Sequence, residues 1–260
     1  MIVDVAAKIN TCLKITGVKD NMHTLDSTMQ SIDLYDTLCV EPSDVDIIAM
    51  DIAVENNTVV KAISAFRDAY GAKCVKVSVT KRIPIGAGLG GSSADAAGML
   101  VALSKLNGIS LERIINDGVA LKVGSDVPFM LKGGCAKVTG TGNRIECVEV
   151  KADEVYLIVV PNSFVSTKDA YRVYDEVGTD KDAINDLTKA AKLLNKDIER
   201  YEAVLNKSNA LRVFMSGSGS AIIGVFKTVA DAESAERLFD NLSPRYIGVH
   251  RPVKNGVRYE

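Results

Sequence analysis

Tryptophan is absent from this 260-residue chain, histidine occurs twice, and aromatic residues make up only 5% of it. With 31 Lys+Arg against 33 Asp+Glu the net charge is −2. So balanced and ring-poor a composition lacks the basic surface and stacking platforms of a nucleic-acid binder. No apolar run approaches the roughly 20 residues that span a bilayer; the longest are strand-sized pieces such as Val155–Val160. The opening Met1-Ile2-Val3-Asp4 lacks the basic-then-apolar pattern of a secretion signal. The cysteines, Cys12, Cys39, Cys74, Cys135 and Cys147, are odd in number, scattered and free of C-x-x-C pairs. That argues against a disulfide frame or zinc site and predicts buried small hydrophobes in a reducing cytoplasm.

What is present is an ordinary 47% of hydrophobic residues, enough for a sizeable core, and an uneven distribution of 20 glycines. The glycines bunch at Gly86–Gly91, Gly133–Gly142 and Gly217–Gly219, each bunch after a β-like run. Alternation predicts strands over Val3–Thr16, Thr28–Val40, Val45–Ala53, Cys74–Thr80, Val155–Val160, Leu211–Met215, Ala221–Phe226 and Arg245–Arg251, with a hairpin within Val127–Val150. Helical spacing predicts helices over Val59–Tyr70, Ser92–Leu106, Leu111–Lys122, Lys168–Val177, Lys181–Leu194, Lys196–Asn206 and Ala230–Leu242. Strands and helices mixed without strict alternation indicate an α+β protein, two-layered, with helices on one face. The motif-dense half ends near residue 150, so the expected domains are 1–150 and 151–260.

The sharpest local signal is Pro84-Ile85-Gly86-Ala87-Gly88-Leu89-Gly90-Gly91-Ser92-Ser93. Glycines let successive N–H groups face one point and form a nest for phosphate oxygens. A helix starting at Ser92 adds its unpaired N–H groups and the positive end of its dipole. Ser92 and Ser93 are candidate caps, and their hydroxyls are candidate contacts for phosphate or Mg²⁺. Three readings stand beside one another: a Gly-rich turn before a capped helix, a dinucleotide loop of G-x-G-x-x-G form, and a nucleotide-triphosphate loop. The second lacks an acid roughly 20 residues on within an unbroken unit, and Pro84 interrupts its strand exit. A Walker A loop is excluded, because no G-x-x-x-x-G-K-[ST] occurs.

The segment resembles the second motif of the GHMP kinases (galactokinase, homoserine, mevalonate and phosphomevalonate kinases). Gly90-Gly91 followed by Asp95-Ala96-Ala97 is most similar to the branch that phosphorylates a diphosphocytidyl-linked methylerythritol on the way to isoprenoids. Other segments resemble the family in the right order: Ala7-Lys8-Ile9-Asn10, His23-Thr24-Leu25, Gly124-Ser125-Asp126-Val127-Pro128, Val165–Tyr171, Asn185-Asp186-Leu187 and Met215–Ala221.

The resemblance implies a two-lobed fold, an N-terminal β-α-β lobe and a C-terminal ferredoxin-like lobe, and ATP-dependent phosphorylation of a small alcohol. It implies catalytic Lys8 and Asp126, the Asp as base or orienter of the hydroxyl and the Lys as neighbouring cation. Implied ATP-binding residues are Pro84, Gly86, Ala87, Gly88, Leu89, Gly90, Gly91, Ser92, Ser93, Gly217 and Ser218, with Ser216 offering a further donor. Substrate contacts are implied for Asn10, for His23 toward a cytosine, and for Tyr171 as a stacking ring. The expected cofactors are ATP and Mg²⁺, with Ser93 the candidate metal contact. Met22 stands where that branch has an aromatic. Alternatives are another alcohol, such as homoserine or a mevalonate-type acid, or a non-catalytic binding protein on the same fold. Expected partners are the small-molecule substrate, no nucleic acid and no membrane, in a cytoplasmic monomer or homodimer. His250 is read as structural.

Overall fold

The computed structural model describes residues 1–50 and 57–260. Its framework is a long antiparallel hairpin, β1 (Ile2–Lys19) and β2 (Met22–Pro42), turned by Asp20 and Asn21. Both turn residues have positive φ, 52° and 60°, a conformation that Asp and Asn tolerate best after Gly and that suits a two-residue hairpin. One half of β2 pairs with β4 (Val75–Thr80), which pairs in parallel with β3 (Ile47–Met50). Of the strand expected over Val45–Ala53, residues 51–53 lie outside the described residues. The other half of β2 pairs with β5 (Cys135–Gly140) and, through it, with β6 (Arg144–Val148).

Helix α1 (Thr58–Tyr70) starts where the Asn57 side chain accepts from Val59 N at 2.9 Å and stops at Gly71. Helix α2 (Gly91–Asn107) lies across β1 and β2, with Ala94 to Ser104 all buried. The expected helix over Leu111–Lys122 is two short ones, α3 (Leu111–Asn116) and α4 (Val119–Val123), because Gly118 takes a left-handed φ of 73° between them. The expected hairpin over Val127–Val150 begins instead with a helix, α5 (Val127–Lys132), started by Pro128 in its first turn. Its run Val-Pro-Phe-Met-Leu is buried on every side, so it carries no amphipathic period to read.

The second sheet is antiparallel, in the order β10 (Tyr246–His250), β7 (Val155–Val160), β9 (Ile222–Phe226), β8 (Arg212–Met215). Helices α6 (Thr167–Val177), α7 (Thr188–Leu194) and α8 (Lys196–Leu205) connect β7 to β8. Helix α9 (Val229–Glu236) and a 3-10 turn, Arg237–Phe239, connect β9 to β10. This βαββαβ path in the order 4-1-3-2 is the ferredoxin-like arrangement. Tyr156, Ile158 and Val160 face the core of the first lobe, and Val155, Leu157 and Val159 face the helices of the second. That double burial is why β7 is apolar at every position.

The predicted helix over Lys181–Leu194 shortens to α7. Residues 184–186 pair with β1 instead: Leu13 N donates to Ile184 O at 3.0 Å and Asp186 N to Leu13 O at 2.9 Å. Strand β11 (Val257–Tyr259) was not expected and returns to pair with Val3–Val5 of β1. The cysteines depart from the sequence reading: Cys12, Cys74 and Cys135 are half-buried, while Cys39 and Cys147 are exposed. Among the described residues no helix is long and apolar enough to cross a membrane.

The lobes also meet through polar groups. His250 of β10 contacts Asp33 of β2 at 3.0 Å, Arg251 N donates to the same carboxylate at 2.8 Å, and the Tyr246 hydroxyl reaches the other His250 nitrogen at 2.6 Å. Burial pushes the Asp33 carboxyl up, but the His250 and Arg251 hydrogen bonds outweigh it and leave its pKa below the usual range. A lowered folded-state pKa adds stability above the unfolded value of about 3.9 and loses it as pH falls through the folded one. Asp33→Asn, at a carboxylate 36% exposed, lowers stability at pH 7 by roughly 0.5–1 kcal/mol after screening. Urea melts of variant and parent at pH 7, 5 and 3 should converge at the lowest pH.

Candidate active site

The loop from Pro84 to Gly90 is fixed at its stem by a buried carboxylate. Asp36 of β2 accepts from Arg82 N at 2.6 Å and Ile83 N at 2.8 Å, and its other oxygen takes Lys81, which also donates to Asp95 at 2.6 Å. Burial pushes Asp95 up, Lys81 pulls it back and Asp36 raises it again, to about 7. Beyond the stem the chain passes Gly86, Gly88 and Gly90 at φ of 66°, 76° and 74°. Gly90 is the N-cap of α2 and no side chain caps that helix, so Ser92 and Ser93 do not serve as the expected caps. The left-handed Gly90 turns the chain directly into the helix, and both serines follow inside its first turn.

The loop is held against both sheets. Lys8 N of β1 donates to Leu89 O and Ala221 N to Ala87 O, each at 3.0 Å. The residues between β8 and β9 fold inward onto it: a Cβ on Gly88 would overlap the Ser216 carbonyl oxygen, and one on Gly217 would press on the Gly88 carbonyl. Ser216 is fully buried; its hydroxyl donates to Gly88 O and accepts from Asn10 N, both at 3.1 Å. It therefore ties loop to loop and is spent there, not available as the further phosphate donor expected of it. Ser218 pairs with Thr167 of α6 at 2.9 Å. Asn185 donates to Met215 O at 2.8 Å and Gly217 O at 2.7 Å, holding the glycine loop from behind.

Lys8 and Asn10 share one face of β1 through the two-residue strand period. The Lys8 ammonium donates to Asn10 Oδ1 at 2.5 Å and lies 3.5 Å from Asp126 Oδ2; Asn10 in turn donates to Ser27 at 2.8 Å. Asp126 sits at the N-cap of α5 without capping it, its side chain 26% exposed toward the cavity. A cavity of about 330 Å³ is lined by every residue from Pro84 to Ser93, with Lys8, Asn10, Asp126, Tyr171, Gly217 and Ser218. A second, of about 420 Å³, adjoins it through Asp126 and Tyr171 and is lined at its far side by Met22 and His23. The His23 ring stacks on Tyr171 at 4.7 Å, and its Nε2 meets Asp175 at 2.7 Å. Burial, and then the Asp126 charge, push the Tyr171 hydroxyl up to about 12, so it stays neutral.

Family models agree with this arrangement in both halves: GHMP kinases N terminal domain matches residues 57–134, and GHMP kinases C terminal matches 169–246. A 4-diphosphocytidyl-2-C-methyl-D-erythritol kinase of Thermoanaerobacter pseudethanolicus is 34% identical over 267 residues, 92% of this chain and 91% of the relative. The chain belongs to the GHMP kinase family. A namesake of Thermodesulfovibrio yellowstonii is 32% identical across 93% of this chain and 95% of its own. Among solved structures, a 4-(cytidine 5'-diphospho)-2C-methyl-D-erythritol kinase superposes with a TM-score of 0.78 at 26% identity, covering 96% of this chain and 99% of the other. The homoserine kinase of Cytophaga hutchinsonii shares the fold, with a TM-score of 0.72 at 18% identity over 99% of this chain and 96% of its own.

As a GHMP kinase the chain is an ATP-dependent phosphotransferase. Several residues of its site escaped the sequence reading. Asp36 had a visible signal, an acid within the alternating buried face Ile32, Leu34, Asp36, Leu38, Val40. Asn185 and Thr167 lie in segments that resemble the family, but their partners were not readable, and Asp175 had no signal at all, since each acts across more than thirty intervening residues. Gly88→Ala forces a side chain into a left-handed position and against the Ser216 carbonyl. It should weaken ATP binding at least about 10-fold by calorimetry while circular dichroism stays native, because a shift of the loop by about 1 Å misaligns its phosphate donors.

Proposed function

We propose that this kinase transfers the γ-phosphoryl group of ATP to the erythritol hydroxyl of 4-diphosphocytidyl-2-C-methyl-D-erythritol, in isoprenoid precursor synthesis by the methylerythritol phosphate route. The observation that carries the reading is the pair of adjoining cavities. The glycine-loop cavity meets the second at Asp126, and the second has the stacked His23–Tyr171 pair on its wall. An acceptor with a base at one end and a hydroxyl at the other suits that geometry. Names of relatives at 31–34% identity support the same substrate. The enzyme then acts in the cytoplasm as a monomer or homodimer, with residues 1–150 and 151–260 as its two domains and β11 crossing back to the first.

In this reading the triphosphate lies along Gly86–Ser93, where backbone N–H groups and the start of α2 face phosphate oxygens. Gly217 and Ser218 close the loop from the other side. Asp126 accepts or orients the proton of the attacking hydroxyl. Lys8, 3.5 Å from it, offsets charge on the γ-phosphoryl oxygens as they develop it. Asn10, hydrogen-bonded to both Lys8 and Ser27, holds the ammonium in place. The neutral, half-buried Tyr171 contacts the cytosine end together with His23, and Met22 supplies an apolar edge in place of a ring.

Mg²⁺, if bound with ATP, would supply charge neutralisation at the phosphates, with Ser93 the candidate protein contact. Among the described residues no group of three or more His, Cys, Asp and Glu could hold a metal ion. Ser93 lines the glycine-loop cavity, where its hydroxyl would be the protein oxygen available to such an ion.

A coupled ADP-release assay across diphosphocytidyl-methylerythritol, homoserine and mevalonate tests the substrate. Turnover is expected on the first alone; silence there with turnover on another acceptor would reassign the enzyme. Asp126→Asn and Lys8→Met should each lower kcat by about 10²–10⁴-fold with ATP affinity within a few-fold of the parent. Unchanged kcat in both would remove these two residues from the mechanism.

A further inference from the structure

Helix α6 presents one face to the second cavity. Lys168, Tyr171, Arg172 and Asp175, spaced at i, i+3, i+4 and i+7, all line it. Tyr171 and Asp175 have partners, the one stacked on His23 and the other paired with its Nε2. The two cations have not been assigned a role. They are the only Lys or Arg side chains among the described residues lining this cavity, since Lys8 lines its neighbour.

We infer that Lys168 and Arg172 bind the diphosphate bridge of the acceptor, and so make the second cavity select a nucleoside diphosphate over a neutral nucleoside or a simple alcohol. The inference rests on the acceptor assigned above. With the base against His23 and Tyr171 and the hydroxyl at Asp126, the anionic bridge must cross the wall between them, and α6 supplies that wall. A guanidinium fork matches two phosphate oxygens, and an ammonium adds a point charge.

The present partners of the two cations are compatible with this role. Arg172 reaches Glu176 at 2.9 Å and Asp169 at 3.7 Å, both exposed carboxylates on its own helix. Such surface pairs are worth little, so a doubly charged bridge displaces them readily. Lys168 forms no ion pair among the described residues. The helix is also fixed where it needs to be: the Ser166 hydroxyl caps Asp169 N, and Thr167 is tied to Ser218 of the inner glycine loop at 2.9 Å. The acids of the same cavity, Asp126 and Asp175, lie at its ends, beside Lys8 and His23 respectively. Repulsion of an anion therefore concentrates at the ends and attraction along the middle.

Calorimetric titration with cytidine and with CDP, for the parent and for Lys168→Ala/Arg172→Ala, reads this directly. The parent should bind CDP about 10- to 30-fold more tightly than cytidine, the size of one or two partly exposed charge-assisted hydrogen bonds. The double variant should bind the two alike, with its cytidine affinity within about 2-fold of the parent, which also reports an intact fold and base site. Lys168→Glu should push CDP below cytidine. A CDP advantage that survives in the double variant, or that the parent never shows, overturns the inference and leaves the cytidyl acceptor standing. Failure of the parent to bind cytidine at all overturns the acceptor assignment and this inference with it.

Discussion

The contact on which the site depends is the approach of two backbones with no side chain between them, Gly88 against the Ser216 carbonyl. One loop leaves the first sheet and the other belongs to the second, so their contact sets how the lobes face each other around a nucleotide. Buried backbone groups need partners, and here two polar side chains supply them: the Ser216 hydroxyl, which accepts from Asn10 N and donates to Gly88 O between the loops, and Asn185, which donates to Gly217 O from behind. Asn185 is itself positioned because its stretch pairs with β1 instead of joining α7. A departure from helical pattern and the integrity of the glycine loop are thus one fact.

Charge is arranged in the same economical way. Two lysines lie close to the loop, one between two acids and the other between an amide and an acid. Lys81 sits beneath it between Asp36 and Asp95, and Lys8 sits beside it between Asn10 and Asp126. Both lysines are nearly sealed from water and both line the cavity; the acids differ, Asp36 and Asp95 being buried at the loop stem while Asp126 is partly exposed. Asp95, with a carboxyl raised to about 7, shows how strongly the sealed cluster resists a second full negative charge.

How much of this was legible in the sequence follows from the range of each interaction. The glycines of the phosphate loop, Lys8 before Asn10 and Asp126 before Pro128 are local patterns, and they converge on one cavity. The strands of the second lobe were equally open to reading, because β7 to β10 alternate or run apolar as their burial requires, while its ferredoxin-like connection was legible only through the family resemblance. Helix α5 was hidden by uniform burial, which erases the period that distinguishes a helix from a strand. The spent hydroxyl of Ser216 and the grip of Asn185 were hidden because their partners are remote in sequence. Cysteine misled for a different reason: a small side chain is free to sit on a strand surface, as Cys39 and Cys147 do, without any cost that composition registers.

Strand β11 carries a consequence for how the molecule is made. The outer edge of β1 at Val3–Val5 has bare backbone donors and acceptors until Val257–Tyr259 arrives to cover them. During synthesis nearly the whole intervening chain must be produced first, including the entire second lobe. The nascent first lobe therefore spends that interval with an open, apolar strand edge, the kind of template onto which a neighbouring nascent chain can add a strand of its own. The last residues of the chain are thus what removes a free edge from its first strand.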